Sequence, residues 1–378
     1  MRLEYQIAAA FGLDLLLGDP PWLPHPVKLV GRFAALLEAP LRKAIPCAYL
    51  AGAAAWTLVV GVTGCSAWGL VAGAGYLHPV AQDVVAVLLL YTAFAARDLA
   101  NHSSRVLRAL RAGDLAEARR RVGLIVGRDT ANLDEVGVVR ATVESVAEST
   151  VDGVTAPLFF AALGGPVAAL AYKAVNTLDS MFGHKDERYR QFGWASARLD
   201  DVANFLPARM TAPLVALTAA ILWIFDFRFS IFDCDGDYCG GRILNSQIDD
   251  PQICQLETSL VHVRGSENRK SKIENRKLLY RPVAALRILA RDGRKHPSPN
   301  AGLSEAAVAG ALNVQLGGLN LYAGEPHEGA LIGDPNEPLN PQHIARANAL
   351  MLGTALLALL LFVGLRVLVL ALLHGGAL

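Results

Sequence analysis

The chain has 378 residues, of which 53% are apolar and only 18% charged, with a mean hydropathy of +0.34. That composition excludes an ordinary water-soluble domain and points to a protein of the lipid bilayer. A net charge of +1 and a pI near 7.7 exclude nucleic acid as the main partner, and five cysteines in a chain this long make no disulfide framework.

The first apolar segment, Tyr5 to Leu17, is short and holds Asp14. It ends in Gly18-Asp19-Pro20-Pro21 without a small-x-small cleavage site, so it reads as a retained helix rather than a removed signal peptide. From Cys47 to Ala96 the one formal charge is Asp83, enough apolar length for two crossings of roughly 20 residues each. Met210 to Phe225 carries no charge, and Ala347 to Leu373 carries only Arg366. These segments read as spanning helices, because lipid offers backbone N–H and C=O groups no other partner. Cys47 and Cys65 fall in apolar helices, where cysteine serves as a small hydrophobe. Lys28, Arg32, Arg42 and Lys43 follow the first helix, and seven arginines lie between Arg97 and Arg121. The positive-inside bias puts both loops in the cytoplasm.

Between Arg97 and Asp152 the pattern is helical and water-facing. Asn132 with Glu135 fits a capping box. The helix that follows sets Val136, Val139, Val143 and Val146 on one face. Arg140, Glu144 and Glu148 recur at i, i+4 on another, with Asp152 one step further. Carboxylates one turn apart can share a divalent cation; a salt-bridged solvated face has the same spacing. Thr155 to Val175 is broken by Gly164-Gly165-Pro166. A re-entrant or broken hairpin keeps Gly127–Asp152 and Asn176–Arg209 on one side of the membrane, whereas a plain crossing splits them; the pattern favours the hairpin.

Asn176 to Arg209 packs five carboxylates (Asp179, Asp186, Glu187, Asp200, Asp201) and five basic side chains (Lys185, Arg188, Arg190, Arg198, Arg209) between two apolar segments. A polybasic anchor would be one-signed, and a linker would not interleave charge with Phe182, Tyr189, Phe192 and Trp194. Balanced charge beside membrane-type sequence suits a site for phosphates and a metal ion, although an ion-paired surface loop has the same composition. A second polar cluster, Arg291 to Asn300, gathers Arg291, Arg294, Lys295 and His296 in an open loop fixed by two prolines. It reads as an anion cradle or as a basic juxtamembrane loop. Gly317-Gly318-Leu319-Asn320 and Gly333-Asp334-Pro335 are turn-forming and polar. The chain has neither a G-x-x-x-x-G-K-[ST] phosphate loop nor a G-x-G-x-x-G fingerprint.

Several of these stretches together resemble one family. They are LLLGDPPWLPHPVKLVGR at the N-terminal end, GRDTANLDE, ESTVDG, NTLDSMFGHKDERYRQFGWASARLDDVANFLPAR and RDGRKHPSPNAG. In this order they resemble adenosylcobinamide-phosphate synthase, over residues 1 to about 224 and about 284 to 378. The resemblance implies ATP-dependent amide formation joining adenosylcobyric acid to (R)-1-amino-2-propanol or its O-phosphate, giving adenosylcobinamide or its phosphate. It also implies ATP and Mg²⁺, a corrinoid substrate, surrounding membrane lipid, an inner-membrane location, and other late cobalamin-pathway enzymes as possible partners. One segment departs from the family pattern. Asp226 to Pro282 inserts 57 residues before the RDGRKHPSPN motif, with ENRK twice and Cys234, Cys239 and Cys254. Without apolar period it reads as a flexible insertion. C-x4-C with one distant cysteine is not a zinc spacing, and Asp233, Asp235 and Asp237 lack the glycine and terminal glutamate of a calcium loop.

A carboxylate is a poor acyl donor, so a ligase of this kind phosphorylates it and lets the amine displace phosphate. That chemistry needs Mg²⁺ on acidic side chains and Arg or Lys along phosphates. The metal candidates are Asp129, Glu144, Glu148 and Asp152. Asp179, Asp200, Asp201, Asn176 and His296 are the catalytic candidates. Arg128, Lys173, Lys185, Arg188, Arg198, Arg291, Lys295 and Asn300 are placed to hold ATP or phosphate. The expected architecture is an all-α polytopic membrane protein with a broken or re-entrant helix and polar loops at the cytoplasmic face. Residues 1–225 form the membrane and catalytic region, 226–282 the insertion, and 283–378 a catalytic loop with the last transmembrane helix. A transporter would use broken helices and intramembrane charge, and a non-catalytic regulator could share the fold. A membrane transferase acting on lipid phosphates would use similar residues. Charge lying in loops and not in spans argues against the transporter.

Overall fold

The computed structural model describes residues 1–20, 25–184, 186–236, 279–322 and 324–374, with backbone alone for 226–236 and 374. Helices make up most of it: α1 Leu3–Leu17, α2 Pro26–Ala44, α3 Ala48–Leu77, α4 Pro79–Tyr91, α5 Ala96–Arg111, α6 Leu115–Val122, α7 Glu135–Ser149, α8 Ala156–Phe182, α9 Trp194–Gly236, α10 Pro282–Asp292, α11 Ala301–Leu312 and α12 Gln342–His374. Five helical runs are long and apolar enough to cross a membrane: Ala48–Leu77, Pro79–Arg111, Glu135–Phe182, Trp194–Phe225 and Gln342–Leu373. The fold is therefore all-α and polytopic, with one small exception. The turn-forming sequence after α11 is an antiparallel hairpin, β1 Leu316–Tyr322 and β2 Glu325–Ile332, in register from Leu316 opposite Ile332 to Tyr322 opposite Glu325.

Local chemistry sets the helix starts. Pro26 and Pro79 occupy first-turn positions, where a missing N–H costs nothing. The preceding His25 and His78 accept from Val27 N and Val80 N at 3.3 and 3.1 Å. α7 is capped two residues later than the expected Asn132 box. Asp134 Oδ1 accepts from Gly137 N at 2.7 Å, because an Asp next to the first helical residue reaches that orphan donor directly. Nor is α7 water-facing. Val138, Ala141 and Thr142 are buried along with Val139, Val143 and Val146, and only Val136 of the expected valine face is exposed. The helix is enclosed by α5, α11 and α12, and its small residues permit that close packing. It runs into a π-helical turn, Thr150–Thr155, which contains Asp152. Such turns concentrate at functional sites.

α8 is two helical halves broken at Gly164 and Gly165, whose φ of +64° suits glycine alone. Phe160 and Tyr172 stack with ring centroids 4.9 Å apart and planes inclined by 13°, although twelve residues of continuous helix span about 18 Å. The halves therefore fold back on each other. The break frees the Ala162 carbonyl, which accepts from Arg366 Nη1 at 2.8 Å; the same guanidinium pairs with Glu4 at 3.1 Å. Asp83 accepts from Gln6 Nε2 at 2.7 Å, and buried Asp14 accepts from Ala96 N at 3.0 Å at the start of α5. Charges in the apolar helices thus have internal partners, as lipid requires.

Asn176 to Arg209 is not one polar loop. It is the end of α8, residues 183–193, and the first turns of α9, a single helix despite Pro207 and Pro213. The connecting segment is strapped to α2 and α3. Arg188 and Arg42 both pair with Glu38, at 3.0 Å each, and the Arg42 guanidinium lies 4.2 Å from the Phe192 ring centroid. Gly52 of α3 sits where a Cβ would collide with the Phe192 carbonyl. Of the expected insertion, 226–236 continue α9, Pro282 begins α10, and 237–278 lie outside the described residues.

Candidate functional site

Three cavities meet at Glu148. The first, of about 280 Å³, is lined by Arg128, Glu144, His296, Glu305, Asn320 and His327. A second, of about 440 Å³, takes in Asp152, Asp179, Asp200, Asp201, His296 and Asn300. Asp98, His102, Asp152, Lys173 and Asn176 line the third, of about 430 Å³. Glu148 lines all three, and Asp152 the last two. The folded-back α8 brings this about, since it returns Lys173, Asn176 and Asp179 to the level of Glu148 and Asp152.

Around the first cavity the contacts are tight. Arg128 pairs with Glu144 and donates to Asn320 Oδ1 at 2.6 Å. Glu144 also accepts from Gly317 N at 2.7 Å, and Arg140 donates to the carbonyls of Gly317 and Leu319 at 2.6 and 2.9 Å. These bonds hold the β-hairpin against α7. Asp129 holds its tip, accepting from Gly324 N at 2.7 Å while its own N–H donates to Leu321 O at 2.8 Å. Glu305 of α11 faces Glu144 and Glu148; burial first, then those two negative charges, push its carboxyl well above the usual carboxylate range. Its protonated form is a hydrogen-bond donor.

In the second cavity a relay crosses two helices. The Tyr172 hydroxyl donates to Asn204 Oδ1 at 2.8 Å, and Asn204 Nδ2 donates to Asp200 Oδ2 at 2.9 Å. Asn176 reaches Asp200 only at 3.5 Å. Asp152 stands within electrostatic reach of Asp200, Glu148 and Lys173. His296 is oriented by Ser298 N, which donates to its Nδ1 at 3.0 Å. Asn300 donates to Asp201 O at 2.8 Å and accepts from Arg209 at 3.3 Å, pinning the loop to α9.

Other basic candidates stand apart. Arg291 and Lys295 line none of these cavities. Both donate to buried Asp292, at 2.7 Å each, and Arg291 also to Asp334 at 2.7 Å. Arg291 above all, with Lys295 and the N–H of Gly333, draws the Asp292 carboxyl well below its ordinary range. The cluster therefore braces the loop that presents His296 and Asn300. Arg188 is committed to Glu38, Arg198 is exposed outside the three cavities, and Lys185 lies outside the described residues. The four metal candidates divide. Glu148 and Asp152 face the cavities, Glu144 is bound by Arg128, and Asp129 latches the hairpin. Among the described residues no group of three or more His, Cys, Asp or Glu side chains is arranged to enclose a metal by itself.

Sequence reasoning passed over Glu305, Asn320, His327, Asn204, Asp98 and His102. Glu305 left a signal, the single charge in an Ala-rich helix, because an unpaired carboxylate is seldom buried without a role. Asp98 and His102, one turn apart on α5, stand 3.4 Å from each other.

Residues 7–351 match the family model described as CobD/Cbib protein. A "Cobalamin biosynthesis protein CobD" of Geobacter metallireducens is 44% identical over 355 residues, which is 94% of each chain. One of the same name from Klebsiella pneumoniae is 41% identical over 360 residues, 94% of this chain and 95% of the other. A "Cobalamin biosynthesis protein CbiB" of Salmonella paratyphi A is 39% identical over 360 residues, with the same coverage. No solved structure was found to match. A family match over residues 7–351 and relatives 39–44% identical over 94% of the chain show that the chain belongs to the CobD/CbiB family.

Proposed function

We propose that the chain acts in cobalamin biosynthesis as an ATP-dependent ligase, joining adenosylcobyric acid to (R)-1-amino-2-propanol or its O-phosphate. The observation that carries this reading is the convergence on Glu148 of a cavity bearing Arg128, a carboxylate cavity and a cavity bearing Lys173. Relatives named for cobalamin biosynthesis across nearly their whole length support the pathway.

In the ligation the substrate carboxylate attacks the γ-phosphorus of ATP, giving an acyl phosphate and ADP. The amine then attacks the acyl carbon, the C–N bond forms, the C–O bond to phosphate breaks, and the ammonium proton passes to a base. Arg128 offers donors to phosphoryl oxygens, and His296 lies between the first two cavities. Glu148 stands where a base is required. Among the described residues Glu148, Asp152 and Asp179 have no basic partner at ion-pair distance, so their oxygens suit a hard cation. Mg²⁺ is held by one or two carboxylates together with substrate phosphates and water, which agrees with a cluster that does not enclose a metal alone. Bound by Asp152 and Asp179, it would offset charge on the transferring phosphoryl group.

A transporter or regulator accounts less well for these residues. The charges inside apolar helices, Arg366, Glu4 and Asp83, are spent on structural pairs, while the unpaired carboxylates gather at one junction. Because ATP is cytoplasmic, the reading places the junction at the cytoplasmic face of the inner membrane, with α8 entering and leaving on that side. Full-length protein in detergent, given ATP, Mg²⁺, adenosylcobyric acid and aminopropanol phosphate, is expected to form adenosylcobinamide phosphate with stoichiometric ADP. Absence of the amide under these conditions refutes the ligase.

A further inference from the structure

The first and third cavities differ in a way that assigns the two small substrates. The first offers Arg128, Asn320, His327 and the ring of Tyr322, a set suited to a nucleotide's phosphates and base. The third shares only Glu148 and Ile125 with it, and it opens between α5 and the second half of α8. Its charges are of two signs. Lys173 supplies a cationic donor and His102 an imidazole whose Nε2 lies 3.4 Å from Asp98, while Asp98, Asp152 and Glu148 supply acceptors. Lys173 has no ion pair within 4 Å among the described residues. A cavity of about 430 Å³ holds a three-carbon molecule with room for water.

We propose that the third cavity is the subsite for the amine, taking a small molecule that carries an ammonium and a phosphate, with its phosphate on Lys173 and the His102 imidazole and its ammonium toward Glu148. This rests on the ligase reading and adds direction to it. Amine and ATP reach the reacting carboxyl from opposite sides of Glu148, so ATP does not block entry of the amine. At that junction the ammonium first gives a proton to Glu148, which frees the nitrogen lone pair. The amine then attacks the acyl carbon, its second proton passes to water, and phosphate leaves toward the Arg128 side as the C–O bond breaks. Ammonium paired with phosphate is also the chemistry of a phosphatidylethanolamine headgroup, and the test separates the two.

Steady-state kinetics of Lys173→Met and His102→Gln are expected to show a KM for aminopropanol phosphate raised about tenfold or more, with the KM for ATP within about twofold of wild type. Asn320→Ala and His327→Ala are expected to do the reverse. His102 lies on the half-buried face of α5, so His102→Gln keeps the test open if Lys173→Met fails to fold. An unchanged amine KM in both Lys173 and His102 variants, or an equal rise in the KM for ATP, overturns the assignment while leaving the ligase intact. Thermal melting in lipid-free detergent adds a readout independent of turnover. Aminopropanol phosphate alone should raise the melting temperature of wild type and not of Lys173→Met. If wild type forms no amide but shows this shift, the ligase reading falls and the subsite stands. A shift from phosphatidylethanolamine micelles, with none from the free phosphoamine, overturns the subsite in favour of lipid.

Discussion

Tyr172 on the second half of α8 donates to Asn204 on α9 at 2.8 Å, and Asn204 in turn holds one oxygen of Asp200 at 2.9 Å. The fold-back at Gly164–Gly165 is what places Tyr172 there, so the break in one helix fixes the aim of a carboxylate on another. Tyr172→Phe keeps the ring that stacks on Phe160 and removes the donor alone. Losing one buried hydrogen bond of this kind costs about 1–2 kcal/mol. Turnover of the amide reaction is expected to fall roughly tenfold with little change in the KM for ATP, as measured by initial rates.

Arg366 is expected to act on stability and not on chemistry. Arg366→Met leaves Glu4 and the Ala162 carbonyl without their donor in the apolar region, a loss of about 1–3 kcal/mol. The melting temperature in detergent should drop by several degrees, and pairing the change with Glu4→Gln should restore part of it. A melting temperature equal to wild type would show that water or lipid headgroups satisfy both groups.

Asp292 gives a pH signature. Its carboxyl titrates below its unfolded range, so the charged form stabilises the fold, the contribution is complete above the unfolded value of about 4, and it is lost as pH falls further. Asp292→Asn should therefore melt below wild type at pH 5 and above, and the gap should narrow under about pH 4. A gap that widens in acid would contradict the ion-pair account.

The segment read from sequence as an insertion is expected to be dispensable if cut at the right places. Tyr280 is buried and Arg281 N donates to Ala311 O at 2.8 Å, so residues 279–282 belong to the folded unit. Replacing 237–278 with a short Gly/Ser linker should preserve insertion and amide formation in a membrane-fraction assay. A well-inserted but inactive deletion would assign the segment a part in the site.

The spans were legible in the sequence because lipid enforces long chargeless runs, and Gly164-Gly165-Pro166 marked its own break. Glu148, Asp152, Asp179 and Asp200 could be singled out by residue type and spacing, and the fold sets them around neighbouring cavities. What the sequence hid were partnerships across distance. Arg291 and Lys295 looked like an anion cradle, yet Asp292 beside them and Asp334 some forty residues on take up their charge. α7 looked amphipathic because its valines share a face, but Ala141 and Thr142 let a second face be buried too. Asn320 and His327 enter the site on a hairpin whose glycines gave only a turn signal.

The central claim is that the corrinoid carboxylate is activated by phosphorylation at the Glu148 junction. Adenosylcobyric acid labelled with ¹⁸O in the reacting carboxylate distinguishes this directly. One labelled oxygen is predicted to appear in the inorganic phosphate released by wild-type protein, with amide and phosphate formed in equal amounts and both greatly reduced in Glu148→Gln. Amide formed with unlabelled phosphate, or label transfer at the wild-type rate in Glu148→Gln, would contradict the account.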